Sequence, residues 1–398
     1  MKGVSPFVTL CFVGALAAFS ATIVRNPVLP LFTATLGVDD ATLGLIASVS
    51  AATGVLVGFP AGVLSDMVGR RRVMLLGILL FAVTPLLYLF VTTPGQLVVV
   101  RIIHGAGTAI LNPVVMAVVA ETYSADRGER MAWYSSIYQV GRFVAPTAGG
   151  LLIVGHDFTW VFIVSAMSGF LALLAFFALK TTSGSTGTTT HSARAASWAN
   201  GLRRMGSELR LVTSHRGILL TSLMEAAQYF SIGAVETFLP LYLISVGFSA
   251  WEIGPIFTAQ LVATAIAKPG LGRLSDRLGR RRFIAAGLLV GASAVAAMPV
   301  TTNYWAVLAL SSLFGVTVAA VTGCTSALVS DFSRSSAYGS SLGILNSIKD
   351  VGHGAGPAVA GFLVMSWSYG SAFAVVGGVM TVGALAFYLL VSDPAPTN

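Results

Sequence analysis

Apolar runs separated by short polar clusters fill nearly the whole chain, and within the runs hydrophobic residues follow one another without alternating at a period of two. A membrane-crossing helix needs roughly 20 consecutive apolar residues, and unbroken runs of that kind suit helices rather than the strands of a barrel. The runs predict spans at 7–25, 42–64, 73–93, 96–119, 131–154, 158–179, 217–246, 252–271, 283–300, 304–329, 337–364 and 370–391. Composition sharpens this picture. Of 398 residues, 55% are hydrophobic and only 10% charged, with a mean hydropathy of +0.84, whereas soluble domains carry about 25% charged residues. The expected fold class is all-α integral membrane, twelve transmembrane helices in two parallel six-helix repeats.

The net charge of +8 would suit a nucleic-acid partner if the basic residues formed a patch. They do not. Seventeen of the 23 Lys and Arg fall in alternate inter-span segments and Lys2 precedes the first span, five (Arg25, Arg101, Arg142, Lys268, Lys349) lie inside apolar runs, and the remaining loops carry Asp39, Asp40, Asp157 and Glu252. This asymmetry is the positive-inside pattern, so both termini are expected in the cytoplasm of a plasma (inner) membrane protein, with the lipid bilayer as partner and no nucleic acid. Cys11 and Cys324 sit in apolar runs and make neither a disulfide framework nor a metal pattern.

The segment GVLSDMVGRRR (Gly62 to Arg72) returns as GRLSDRLGRRR (Gly272 to Arg282), an offset of 210 residues. Glu121 meets Asp331 at the same offset, and SSIYQVGRFVAP meets NSIKDVGHGAGP at 211. The gene is a duplication. Because both basic copies must face the same side, each half holds an even number of spans and the repeats are parallel. The expected divisions are 1–179, a six-helix bundle; 180–216, a cytoplasmic linker; and 217–398, a second bundle. In the linker, TTSGSTGTTT has flexible composition, and Trp198, Leu202, Met205, Leu209 and Val212 step along one face of an amphipathic surface helix, with a disordered loop as the alternative. The first apolar run continues as NPVLPLF, which recurs as ETFLPLY, so it is expected to belong to the fold rather than to a cleaved signal.

The repeated Gly-x-Leu-Ser-Asp-x-x-Gly-Arg-Arg-Arg resembles the loop 2-3 signature of the major facilitator superfamily, with a near copy in loop 8-9. Arg101-x-x-His104-Gly105-x-Gly107 is similar to that family's fourth-span pattern, and Gly141-x-x-x-Ala145-Pro146-x-x-Gly149-Gly150 to the fifth-span signature of its proton-coupled antiporters, with Ala145 in place of a glycine. The resemblance implies a secondary active transporter working by alternating access around a site between the halves. Its direction is expected to be proton-coupled efflux of a small amphiphilic molecule. A proton-coupled symporter of an organic anion and a lipid or glycolipid transporter are the alternatives. Small substrate and protons are then the partners, with no cofactor beyond the proton gradient, no metal, and a monomer. The histidines are scattered and no HExxH, GxSxG or phosphate-cradling loop occurs, so an enzyme is not expected.

Candidate residues fall into groups. Gly62, Asp66, Gly69, Arg70 and Glu121, repeated as Gly272, Asp276, Gly279, Arg280 and Asp331, are expected to form two cytoplasmic latches of carboxylate, arginine and carboxylate. Gly141, Pro146 and Gly150, with Gly352, Gly356, Pro357 and Gly361, read as packing and flexing seams, ordinary close packing being the alternative. Ionisable residues at membrane depth cost several kcal/mol and are functional candidates by default, static ion pairs being the plainer reading. Glu225, Glu236 and Asp350 are the proton-coupling candidates, the first two being 11 residues apart and expected to face one cavity. Substrate-cavity candidates are Arg25, Arg101, His104, Asn112, Tyr138, Arg142, Gln228, Gln260, Asn346, Lys349 and His353, with Arg101, His104, Thr108 and Asn112 on one face and Gln260, Thr264 and Lys268 on another. Arg25 and Glu236 are expected to approach as an outer pair.

Overall fold

The computed structural model describes residues 5–123, 126–153, 157–178, 215–333 and 338–391, apart from the side chains of residues 59, 63, 66 and 338–340. The expected linker helix around residues 198–212 lies outside the described residues. Twelve helices are described: α1 (Pro6–Thr35, with an irregular turn), α2 (Asp40–Val68), α3 (Arg70–Leu87), α4 (Pro94–Thr122), α5 (Arg127–Leu152), α6 (Thr159–Ala178), α7 (Arg216–Ser245), α8 (Ala250–Leu278), α9 (Arg280–Ala297), α10 (Tyr304–Phe332), α11 (Tyr338–Ser366) and α12 (Tyr369–Leu390). Ten contain a stretch long and apolar enough to cross a membrane. The other two, α5 and α11, are diluted by Arg142 and by Lys349, Asp350 and His353.

The sequence expectation ended the first span at residue 25, but α1 runs on to Thr35. Pro27 takes the backbone of Asn26 out of the helical region (φ −128°, ψ 127°), as the ring of a proline does to its predecessor, and regular helix resumes at Leu29–Thr35. The basic signature also departs from expectation, since it is not a loop. Helix α2 continues to Val68, α3 begins at Arg70, and Gly69 alone joins them with φ 101°. Gly279 joins α8 to α9 in the same way with φ 95°. A side chain in that conformation is strained, which is why glycine stands at both joints.

Two units make up the chain: Met1–Val38, Val49–Trp198 and Ala250–Gly254 form one, and Asp39–Ser48, Ala199–Ser249 and Pro255–Asn398 the other. Equivalent helices pack alike in each. In the first, α1 packs on α5 and α6, and α3 on α4 and α6; in the second, α7 packs on α11 and α12, and α9 on α10 and α12. The helix starts are equivalent too: Thr93 and Asn303 cap α4 and α10, and Asp157 and Ser368 accept backbone N–H groups at the heads of α6 and α12. The first unit buries Phe7, Cys11, Ile78, Phe81, Val115 and Phe176 together. Ser20 and Ser165 share a hydroxyl contact of 3.1 Å there, and Ser165 donates to the Ser20 carbonyl at 2.9 Å, so small polar residues let α1 and α6 approach closely.

Candidate functional site

The joint glycines position the arginines that follow them. Arg70 donates from Nη2 to Glu121 Oε1 at 2.7 Å and from Nη1 to the Ser65 hydroxyl at 2.6 Å, tying the α2–α3 joint to the end of α4. In the second unit Arg280 takes both carboxylates, donating to Asp276 Oδ1 at 2.8 Å and to Asp331. The expected carboxylate, arginine and carboxylate cluster therefore assembles around Arg280; the Asp66 side chain is outside the described set. The next arginine in each copy has an aromatic partner that the sequence pattern did not reveal: Arg71 lies over Phe176 at 5.6 Å and Arg281 over Tyr388 at 4.3 Å from the ring centroids.

Inside the second unit α7 carries the buried polar residues. Glu225 is 4% exposed, and its carboxyl oxygen pairs with Thr325 Oγ1 of α10, which lies 2.9 Å from the Val321 carbonyl. One turn on, Gln228 is 0% exposed, and neither polar atom of its amide has a hydrogen-bond partner among the described residues. Glu236 faces His353 of α11, Oε2 to Nε2 at 3.9 Å. Thus Glu225 and Glu236, expected to share a cavity, have different neighbours. Asp350, expected beside Lys349 and His353, is 3.8 Å from Lys349, while His353 turns to Glu236. Lys349 also donates to Asn346 at 2.7 Å and lies 5.2 Å over the Tyr229 ring. On α8, Gln260 is buried and accepts from Ser311 at 3.1 Å, whereas Lys268 is exposed, so the expected stripe of Gln260, Thr264 and Lys268 is split by burial.

In the first unit Arg101 and His104 are 5% and 4% exposed. His104 Nδ1 lies 3.1 Å from the Tyr88 hydroxyl, and Tyr88 stacks on Phe162 with centroids 5.0 Å apart. His104 therefore packs from α4 against Phe81 of α3 and the turn at Tyr88 that follows it. Thr108 is exposed, and Asn112, at 3.5 Å from the Tyr134 hydroxyl, belongs to a different neighbourhood, so the four-residue face expected on this helix does not act as one. Arg142 is half-buried, its Nη1 donating to Gln139 at 3.1 Å, and Tyr138 leans against Tyr134 at 6.1 Å. Arg25 sits in the irregular turn of α1.

The family model of the Major Facilitator Superfamily matches residues 10–258 and 222–398. The chain belongs to the Major Facilitator Superfamily. It is 25% identical to multidrug resistance protein 2 of Bacillus subtilis over 364 residues, covering 90% of this chain and 88% of that one. It is 22% identical to the quinolone resistance protein NorA of Staphylococcus aureus over 345 residues, covering 85% and 84%. The solved structure of the nucleoside transporter NupG matches with a TM-score of 0.80 at 13% identity, covering 98% and 100%. The protein is accordingly a multi-pass membrane transporter.

The superfamily seam glycines have equivalent neighbours in the two units. A methyl group at Gly141 would collide with the Ala15 carbonyl oxygen, and one at Gly352 with that of Ala226; Ala15 and Ala226 are themselves related by the 211-residue offset. Gly150 lies against the Ala250 carbonyl and Gly361 against that of Asp40, another equivalent pair. Gly356 abuts the Phe230 carbonyl, while its counterpart Ala145 is fully buried, so the methyl group that departs from the family pattern is accommodated. Pro146 and Pro357 remain within continuous α5 and α11.

Proposed function

We propose that the protein is a proton-coupled exporter of a small amphiphilic molecule, working as a monomer in the plasma membrane with both termini cytoplasmic. Its two homologous halves alternately open a substrate site to either side, with proton entry driving substrate exit. Multidrug resistance protein 2 and NorA, similar along most of the chain, support the direction and the substrate class.

The observation that carries the coupling is the environment of Glu225. Thr325 Oγ1 lies within hydrogen-bonding distance of both the Glu225 carboxyl and the Val321 carbonyl, yet a hydroxyl has one proton to give. A protonated Glu225 satisfies both contacts, donating to Oγ1 while Oγ1 donates to Val321. An ionised Glu225 accepts the hydroxyl's hydrogen bond instead, and the Val321 carbonyl keeps its backbone helix hydrogen bond. Both protonation states are therefore accommodated without breaking an ion pair, which suits a group that loads and unloads a proton in each cycle.

Inside-out membrane vesicles test the reading. A cationic amphiphilic dye should accumulate when the lumen is made acid and not when the gradient is reversed. Accumulation under the reversed gradient, with an organic anion as the better substrate, would replace export by symport. That second reading draws on the cationic groups Arg142 and Lys349 on the equivalent helices α5 and α11.

A further inference from the structure

Where α9 leaves its glycine joint, Arg280 is engaged by Asp276 and Asp331, and Arg281 lies over Tyr388 of α12. Arg282 is exposed and has no ion-pair partner among the described residues. It stands at one end of a cleft of about 250 Å³ between α9 and α12, floored by Ala285, Ala286 and Ala384 and walled by Leu289, Leu385 and Tyr388.

The cleft has a cause in the sequence. Farther along, the two helices are in close contact: a Cβ added at Gly377 would lie 2.9 Å from the Ala292 carbonyl oxygen. Nearer the arginines, alanines fail to fill the space between them. At the 210-residue offset the first half carries Arg72 in place of Arg282 but Leu75 and Leu76 in place of Ala285 and Ala286. The arginine is thus common to both halves, whereas the residues beside it are small in only one.

We infer that this cleft binds one anionic phospholipid, its phosphate on Arg282 and one acyl chain on the alanine floor. Leu289, Leu385 and Tyr388 leave the cleft open to the hydrocarbon of the bilayer, so a lipid chain is the apolar occupant at hand. A guanidinium at the membrane surface matches a phosphodiester in charge and in hydrogen-bond geometry, and basic pockets between membrane helices are selective for anionic head groups. The occupant is a lipid rather than a free anion because the cleft is apolar everywhere except at its arginine end.

Native mass spectrometry of the full-length protein tests this, after equilibration with equal phosphatidylglycerol and phosphatidylcholine and removal of loosely held lipid. The wild type should retain one phosphatidylglycerol in preference to phosphatidylcholine. Arg282→Gln should lower that preference about fivefold, the factor expected for one interfacial arginine. Ala285→Leu/Ala286→Leu, which installs the residues of the first half, should abolish retention of the lipid. A stability scan provides a readout independent of those variants: phosphatidylglycerol should raise the melting temperature of the wild type, and phosphatidylcholine or inorganic phosphate should not. Absence of a preference in the wild type, equal retention by both variants, or equal stabilisation by inorganic phosphate would each overturn the inference.

Discussion

The imidazole Nε2 of His353 lies 3.9 Å from the Glu236 carboxylate, whereas Glu225 on the same helix meets a hydroxyl. One carboxylate thus faces a group that can become cationic, and among the described residues the other has no ion-pair partner at that range. This separates two proton-coupling candidates that look alike in the sequence.

Glu225→Gln should therefore abolish dye accumulation driven by a pH gradient while leaving substrate binding and downhill exchange measurable. Glu236→Gln should retain part of its gradient-driven transport. The opposite pattern in vesicle assays would move the carrier role to Glu236 and His353, and full transport by both variants would remove it from α7 altogether.

What the sequence could and could not reveal follows from the range of the interactions involved. Helix number, the duplication and the Arg280 cluster were legible because they rest on hydrophobic runs and on residues repeated in register. The fate of individual polar side chains was not. Arg101 and Lys268 both read as charges inside apolar runs, yet Arg101 is buried and Lys268 is exposed. That difference depends on which helix lies alongside, and helical spacing supplies a face without its neighbour. Arg71 and Arg281 show the same gap, since their aromatic partners lie about 105 residues away on α6 and α12. The extent of α1 was missed for a local reason, as Pro27 marks a break that the helix passes through and resumes beyond.

Arg280 shares its charge between Asp276 and Asp331, whose side chains are 57% and 39% exposed. Pairs so accessible to water contribute about 0 to 1 kcal/mol to stability. Asp276→Asn and Asp331→Asn should accordingly leave the melting temperature nearly unchanged, with their effect appearing in the transport rate. A large loss of stability in either single variant would mean that the cluster is structural rather than a latch.

Tyr88 and His104 make a different kind of contact, 3.1 Å long and buried. Removing the hydroxyl in Tyr88→Phe keeps the stack on Phe162 and leaves the ring nitrogen of His104 without this partner, which should cost about 1 to 3 kcal/mol. Phe at position 88 combined with His104→Leu should recover part of that loss. A double variant as destabilised as the sum of the two single ones would show that the two side chains are not coupled.

The seam glycines provide the sharpest contrast between space and conformation. A methyl group at Gly141 or Gly352 meets the backbone carbonyl of Ala15 or Ala226, which cannot rotate aside as a side chain can. Added at Gly128 or Gly343, on the same two helices, it meets nothing within 4 Å. Alanine is the better helix former by roughly 0.8 to 1 kcal/mol, so Gly128→Ala and Gly343→Ala should be neutral or mildly stabilising. In Gly141→Ala and Gly352→Ala the helices must separate, with an overpacking cost of about 1 to 3 kcal/mol that exceeds the propensity gain. Thermal unfolding of the four variants in one detergent checks the order directly. If the seam pair melts with the control pair, close approach of α5 to α1 and of α11 to α7 is not what these glycines provide. If the seam pair alone loses stability and transport together, packing accounts for both effects.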